Sequence, residues 1–189
     1  MKPVLTVVTG PPASGKTTLA REIARELDMP YISKDTLKET LYEQIGSGDD
    51  LEPKLDAAAV ALLFAVVEEQ LAAGVSVVAE SNFDSDSDLA PFERLAEELD
   101  IEILQLHVTR PTEMLLERFA KRAASGKRHP GHGDSPEDVD EVRARLERGD
   151  WDPLDLPGRL LCLEFGEDSD EDAKDAAERV QELLEKRDS

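Results

Sequence analysis

The chain has 189 residues, 43 Asp and Glu against 22 Lys and Arg, and a formal net charge of −21. That length suits one domain, and 40% apolar residues supports a core, so the charge does not signal disorder. The longest apolar run, 57–67, falls short of the roughly 20 residues of a membrane span; a lone cysteine, Cys162, excludes an intramolecular disulfide framework; and the charge opposes nucleic acid and anionic membrane.

The first residues, Met1-Lys2-Pro3, lead straight into a β-branched run over 4–9, so no secretory signal is expected. With the single cysteine, this predicts a reducing, cytoplasmic setting. The run 4–9 ends at Gly10 and reads as a buried strand. A helix follows over 15–28, with Leu19, Ile23, Ala24 and Leu27 on its apolar face and Pro30 beyond its end. Residues 31–33 read as a short strand, 36–45 as a helix, and 46–50 as a loop. The span 54–73 predicts a long helix, apolar enough to be buried on most sides. Residues 75–79 form another buried strand. An amphipathic helix over 89–99 precedes a strand over 101–108. Pro111 opens a helix to about Ala124. Ser135-Pro136-Glu137-Asp138 starts a helix that ends near Gly149. A last buried strand spans 160–165, with Cys162 as a small core residue. A final amphipathic helix begins at Ser169, and its seven nearby carboxylates over 164–175 read as a solvated helix start. Strand and helix alternate throughout, which predicts an α/β fold around a mostly parallel sheet.

Gly10-Pro11-Pro12-Ala13-Ser14-Gly15-Lys16-Thr17 fits G-x-x-x-x-G-K-[ST] between a strand and a helix. Such a loop turns successive backbone N–H groups onto phosphate oxygens, and the helix start, Thr18 included, adds its positive end. Lys16 reaches the β- and γ-phosphates of ATP, and the Thr17 hydroxyl is offered to Mg²⁺. Glu80 ends an apolar strand, where a carboxylate can hold the metal or its water. Ser81 and Asn82 follow at an edge where ligands of α/β sheets bind. Asp35 also lies just past a strand end, placed to orient a hydroxyl and accept its proton. Its neighbour Lys34 reads as solvated.

Residues 118–133 hold five basic side chains and no acid, while the other 173 residues carry 17 basic against 43 acidic. Arg118 and Arg122 share a helix face. Lys127 and Arg128 lie in a loop with three glycines and a proline. A mobile basic segment can close over a triphosphate and neutralise charge on the transferred group. His129 and His132, without cysteines nearby, make a poor metal site and suit lid contacts. Trp151 packs either between the last helices or near a nucleotide base.

The phosphate loop, Ser33-Lys34-Asp35, Glu80-Ser81-Asn82-Phe83, Arg118-Phe119-Ala120-Lys121-Arg122 and Arg128-His129-Pro130-Gly131-His132 occur in one order. Over roughly 4–165 the chain resembles the P-loop kinases that include polynucleotide 5′-hydroxyl kinase, chloramphenicol phosphotransferase and the zeta-toxin kinases. The resemblance implies a P-loop NTPase fold: a five-stranded parallel sheet ordered 2-3-1-4-5, helices on both faces, and a small lid over 118–133. It implies ATP on the loop from Gly10 to Thr18, with Pro11, Pro12, Ala13, Ser14 and Gly15 in its backbone. It implies Mg²⁺ at Thr17 and Glu80, Asp35 as base, and Arg118, Arg122 and Arg128 in the lid. Glu80 departs from the more usual aspartate.

The expected activity is ATP-dependent phosphoryl transfer to a hydroxyl of a small molecule. A nucleoside, nucleotide or polynucleotide acceptor is the alternative. A nucleoside monophosphate would need cations outside the lid, and the sequence displays no second cluster. An ATP-binding regulatory switch is the rival of another class.

Overall fold

The computed structural model describes residues 2–46, 48, 50–83, 88–126, 128–132 and 135–187. Lys127 and Gly133 of the predicted lid, and Ser47 and Asp49 of the predicted loop, lie outside the described residues. The elements run β1 Val4–Thr9, α1 Lys16–Glu26, β2 Tyr31–Ser33, α2 Lys34–Ile45, α3 Glu52–Ala72, β3 Val77–Glu80, α4 Leu89–Glu98 and β4 Glu102–Thr109. They continue with α5 Thr112–Ala124, α6 Val139–Arg148, β5 Arg159–Glu164 and α7 Ser169–Arg187. Single 3₁₀ turns occupy Pro130–His132 and Pro136–Asp138.

All strand pairings are parallel, and the sheet order is β2-β3-β1-β4-β5. This is the α/β P-loop fold, with helices on both faces. Alternation along β1 explains the layering. Val4 and Val8 join Leu19, Ile23, Ala176 and Val180 on the face covered by α1 and α7. Leu5 and Val7 point the other way, to Leu63, Val67, Phe92 and Leu95 of α3 and α4. A parallel sheet covered on both faces needs apolar residues at every central position, and β1 is buried throughout.

Two expectations change. Helix α3 buries one face only, through Leu55, Ala59, Leu63, Phe64, Val67 and Leu71. Leu62 and Val66 of the same helix are 42% and 39% exposed. Its alanine-rich composition hid the one-sided stripe. Strand β5 is an edge strand, pairing with β4 alone among the described residues, and Cys162 is exposed rather than a core residue.

The order of strands fixes the site. Connections rise on either side of β1, so a crevice opens at the carboxyl ends of β1 and β3. Gly10 makes the turn out of β1 with φ 138. A Cβ there would lie 2.1 Å from the Val108 carbonyl oxygen of β4. Backbone cannot yield as a side-chain tip would. Gly10→Ala is therefore expected to cost roughly 1–3 kcal/mol from overpacking alone. A lowered urea midpoint at unchanged m-value checks it.

Candidate active site

The loop between β1 and α1 folds as its glycines require. Gly15 has φ 108 and Ala13 φ 64, left-handed conformations that let successive amides converge. Pro11 and Ser14 are buried, while Pro12 and Ala13 are half-buried at the mouth. Arg110, 3% exposed, buttresses the loop from behind. Its Nε donates to the Ser14 carbonyl at 2.7 Å, and its guanidinium lies 5.7 Å from the Phe165 ring. The Ser14 hydroxyl is buried without a hydrogen-bond partner among the described residues. A built concavity with an unsatisfied hydroxyl and a buried lysine fits a phosphate chain.

Lys16 is 7% exposed and donates to the Pro11 carbonyl at 3.1 Å. Burial pushes its ammonium down to about 8 from the ordinary 10.5, and Arg122 and Arg128 push the same way against Glu80 and Asp35. The structure thus brings Lys16, Asp35, Glu80, Arg122 and Arg128 within electrostatic reach of one another. A bound triphosphate favours the charged amine. Nucleotide binding near pH 9 is therefore expected to take up a proton, and binding near pH 6.5 to take up almost none. Calorimetry in two buffers of different ionisation enthalpy measures that uptake.

Glu80 is 2% exposed at the end of β3. Its Oε1 accepts from the Thr17 hydroxyl at 3.3 Å. Its Oε2 accepts from the Tyr31 hydroxyl at 2.9 Å and the Ser33 hydroxyl at 3.0 Å. Burial, then the charge of Glu80, raises the Tyr31 phenol well above its ordinary value, so it stays a donor. A buried carboxylate and a hydroxyl side by side are oxygen donors of the kind Mg²⁺ takes.

Asp35 sits in the first turn of α2, at the brim of the crevice. Arg128 Nη2 lies 3.4 Å from its Oδ2, and His132 Nδ1 3.9 Å. His132 Nε2 is also 2.7 Å from Glu39 Oε1, and His129 Nε2 is 3.6 Å from Glu43 Oε1. Asp35, Glu39 and Glu43 follow one another at four-residue spacing, so one face of α2 receives the whole segment. Gly131 fits there because a Cβ would meet the Tyr42 ring at 3.1 Å. Within the expected loop at 125–133, Pro130–His132 form a short 3₁₀ turn seated on α2.

Arg118 reaches the start of α7. Its Nη2 donates to the Ser169 hydroxyl there at 3.1 Å, and burial, then the charge of Arg118, lowers the affinity of Arg110 for its proton. Arg122 instead acts on Lys16 and lies 5.6 Å from the Phe119 ring. Lys34 is not solvated: its Nζ is 2.8 Å from Asp56 Oδ1, which also takes Lys38 at 3.1 Å. Here is the second cation cluster that the sequence did not display. Residues four apart on α2 meet an acid on α3, and only the fold joins those helices. Arg110 was equally hidden, although its place at the end of β4 marks the ligand edge.

A cleft of about 1220 Å³ lies on this side of the loop. Pro12, Asp35, Ser81, Asn82, Arg128 and Trp151 are among its lining. Trp151 packs with Leu115, Phe119 and Val142 beneath Arg145, whose guanidinium is 4.4 Å from its ring. It therefore joins α5 and α6 and faces the cleft.

Residues 5–152 match the family described as AAA domain. The chain belongs to that family. An AAA-domain protein of this kind has a close solved counterpart in a candidate kinase from Chloroflexus aurantiacus J-10-fl. The two are 34% identical over 96% of this chain and 98% of that one, with a TM-score of 0.85. Kti12 of Chaetomium thermophilum, solved with ADP-AlF3, shares the fold at TM-score 0.65 and 21% identity, covering 94% and 97% of the two chains. The cytidylate kinase of Pyrobaculum arsenaticum is 38% identical over 68 residues, or 30% of this chain. The match spans 37% of that curated relative.

Proposed function

We propose that this AAA-domain protein is an ATP-dependent phosphotransferase acting on the hydroxyl of a small molecule. The observation that carries the reading is continuity. One cleft runs from the phosphate loop at Pro12 to Asp35, Ser81 and Asn82. A nucleotide on the loop and an acceptor beside Asp35 would meet there without rearrangement of the sheet. The kinase descriptions of the Chloroflexus and Pyrobaculum relatives support it.

In this reading the loop amides and Lys16 hold the triphosphate with its γ-phosphorus toward the cleft. Thr17 and Glu80 would hold Mg²⁺, which supplies charge neutralisation when bound. Asp35 orients the acceptor hydroxyl and takes its proton. The hydroxyl oxygen forms a bond to the γ-phosphorus as the bond to the β,γ-bridging oxygen breaks, and ADP leaves with that electron pair. Arg122 and Arg128 neutralise charge on the transferred group. Arg118 holds the lid helix to α7 through Ser169. The segment 118–133 serves as the lid of a single domain covering 1–189.

Among the described residues no helix is long and apolar enough to cross a membrane. A small acceptor also agrees with the charge. Long nucleic acid needs many basic contacts, and those near the loop face a triphosphate. A nucleotide acceptor is the second reading, favoured by Lys34, Lys38 and Trp151 on the acceptor wall.

A metabolite screen for ATP-dependent phosphorylation, read by mass, tests the proposal. One hydroxyl compound, or a small group, should gain a phosphoryl group. Steady ATP hydrolysis that no hydroxyl compound accelerates, with a stable protein complex, would instead establish a nucleotide-driven switch.

A further inference from the structure

The acceptor wall holds an unbalanced charge. Lys34 and Lys38 meet a single carboxylate oxygen, Asp56 Oδ1. Their side chains are only 17% and 11% exposed. Burial pushes Asp56 upward, yet hydrogen bonds and charge from the two lysines outweigh it and hold the carboxyl below its ordinary value. Two cations on one anion leave one positive charge over. In a half-dry wall such a surplus is costly unless an anion joins it.

The other cations of the cleft have acids of their own. Arg94 has Glu68 at 2.6 Å and Glu98 at 2.8 Å. Arg145 has Asp150 at 3.0 Å, and Arg128 has Asp35. Four further acids line the cleft, Glu52, Asp88, Asp138 and Glu141. Asp138 is occupied by the Ser135 amide at 2.8 Å. Glu52, Asp88 and Glu141 leave the rest of the lining acidic, so the cationic spot is confined to the contact of Lys34 and Lys38 with Asp56.

Its position sets a ruler. Lys38 follows Asp35 by three residues, and Lys34 precedes Lys38 by four, so all three ride the first turns of α2. One helical turn is about 5.4 Å. The Cβ atoms of Asp35 and Lys38, three residues apart, are then roughly 5–6 Å from each other, close enough for one small molecule to reach both side chains.

We infer that the acceptor is an anionic alcohol, with a carboxylate or phosphate on Lys34 and Lys38 and its hydroxyl at Asp35. This rests on the phosphotransferase reading and narrows its substrate class. It also places the acid Asp56 as a brake, since it competes with the substrate for the same amines.

Trp151 is the only tryptophan and lines the same cleft, so its emission reports occupancy without turnover. The protein, saturated with a non-hydrolysable ATP analogue, is titrated with matched sets: glycerol, glycerate and glycerol 3-phosphate; glucose, gluconate and glucose 6-phosphate. In at least one set an anionic member should half-saturate at a concentration ten or more times lower than the neutral one. The carboxylate and phosphate arms show which anion fits. Lys38→Met should erase that preference, and Asp56→Asn should enlarge it. A merely structural ion pair would lower the thermal midpoint in both variants and move the preference in neither. Equal binding of neutral and anionic members, no response to any anionic member, or an unchanged preference in both variants overturns the inference. Mass-detected transfer to a neutral alcohol would sink it while leaving the phosphotransferase reading intact. Anion binding that depends on Lys38, without transfer to any alcohol, would overturn the phosphotransferase reading, and the acceptor assignment with it, and leave an anion site alone.

Discussion

Asp35→Asn is expected to lower phosphoryl transfer by roughly 10²–10⁴, the usual contribution of a positioned general base, while ATP binding stays within a few-fold. The two readouts separate because Asp35 stands on the acceptor side. It lies in the first turn of α2, lines the cleft, and is 43% exposed at its side chain. Its contact with Arg128 is long, at 3.4 Å, and partly exposed. Such a pair is worth about 0–1 kcal/mol, so losing it does little to the nucleotide site. Asparagine keeps the shape and can still accept a hydrogen bond from a hydroxyl, but it cannot take the proton. Transfer at the normal rate would remove Asp35 from the mechanism. Loss of ATP binding in parallel would mean that its charge matters only through Lys16, on which it also acts.

The limits of the sequence are instructive at this site. The phosphate loop could be read outright because its chemistry is local: glycines, a lysine and a threonine at fixed spacing between a strand and a helix. The sheet order came through the resemblance, and the alternation of β and α told only its class. Asp35, Glu80, Ser81 and Asn82 were legible because strand ends mark the ligand edge of a parallel sheet. What escaped depends on contacts between distant elements. Lys34 looked solvated because its partner Asp56 is on another helix. Arg110 was passed over although it holds the loop through Ser14, 96 residues away. Tyr31 was assigned to a strand, with no hint that its hydroxyl would meet Glu80. The exposed Cys162 and the one-sided burial of α3 were misread for a related reason. Apolar composition does not say whether a strand lies at an edge, nor which side of an apolar helix is covered.

Lys16→Met carries the other large effect, and its sign on stability is what makes it decisive. Transfer is expected to fall by on the order of 10²–10³, because one preorganised donor to the transferred group contributes about that much, and triphosphate binding should weaken with it. Such a loss is usually open to the objection that the variant has unfolded. Here the opposite is expected. The folded protein holds Lys16 at about 8 against an ordinary 10.5, which is on the order of 3 kcal/mol against the charged form. That penalty is fully present below pH 8, where the amine is charged in both folded and unfolded chains. It fades as pH rises from 8 to 10.5, where the unfolded chain binds more protons than the folded one. Methionine fills the same space without a charge and gives up one hydrogen bond to the Pro11 carbonyl, worth about 1.5–3 kcal/mol because its donor is charged. The thermal midpoint of Lys16→Met at pH 7 should therefore equal or exceed that of the parent. The parent alone should gain stability between pH 8 and 10 from this residue, and the proton uptake on nucleotide binding should vanish in the variant. A variant that melts well below the parent at pH 7 would show that Lys16 holds the loop together in the free protein, and that its buried charge is compensated before any nucleotide arrives.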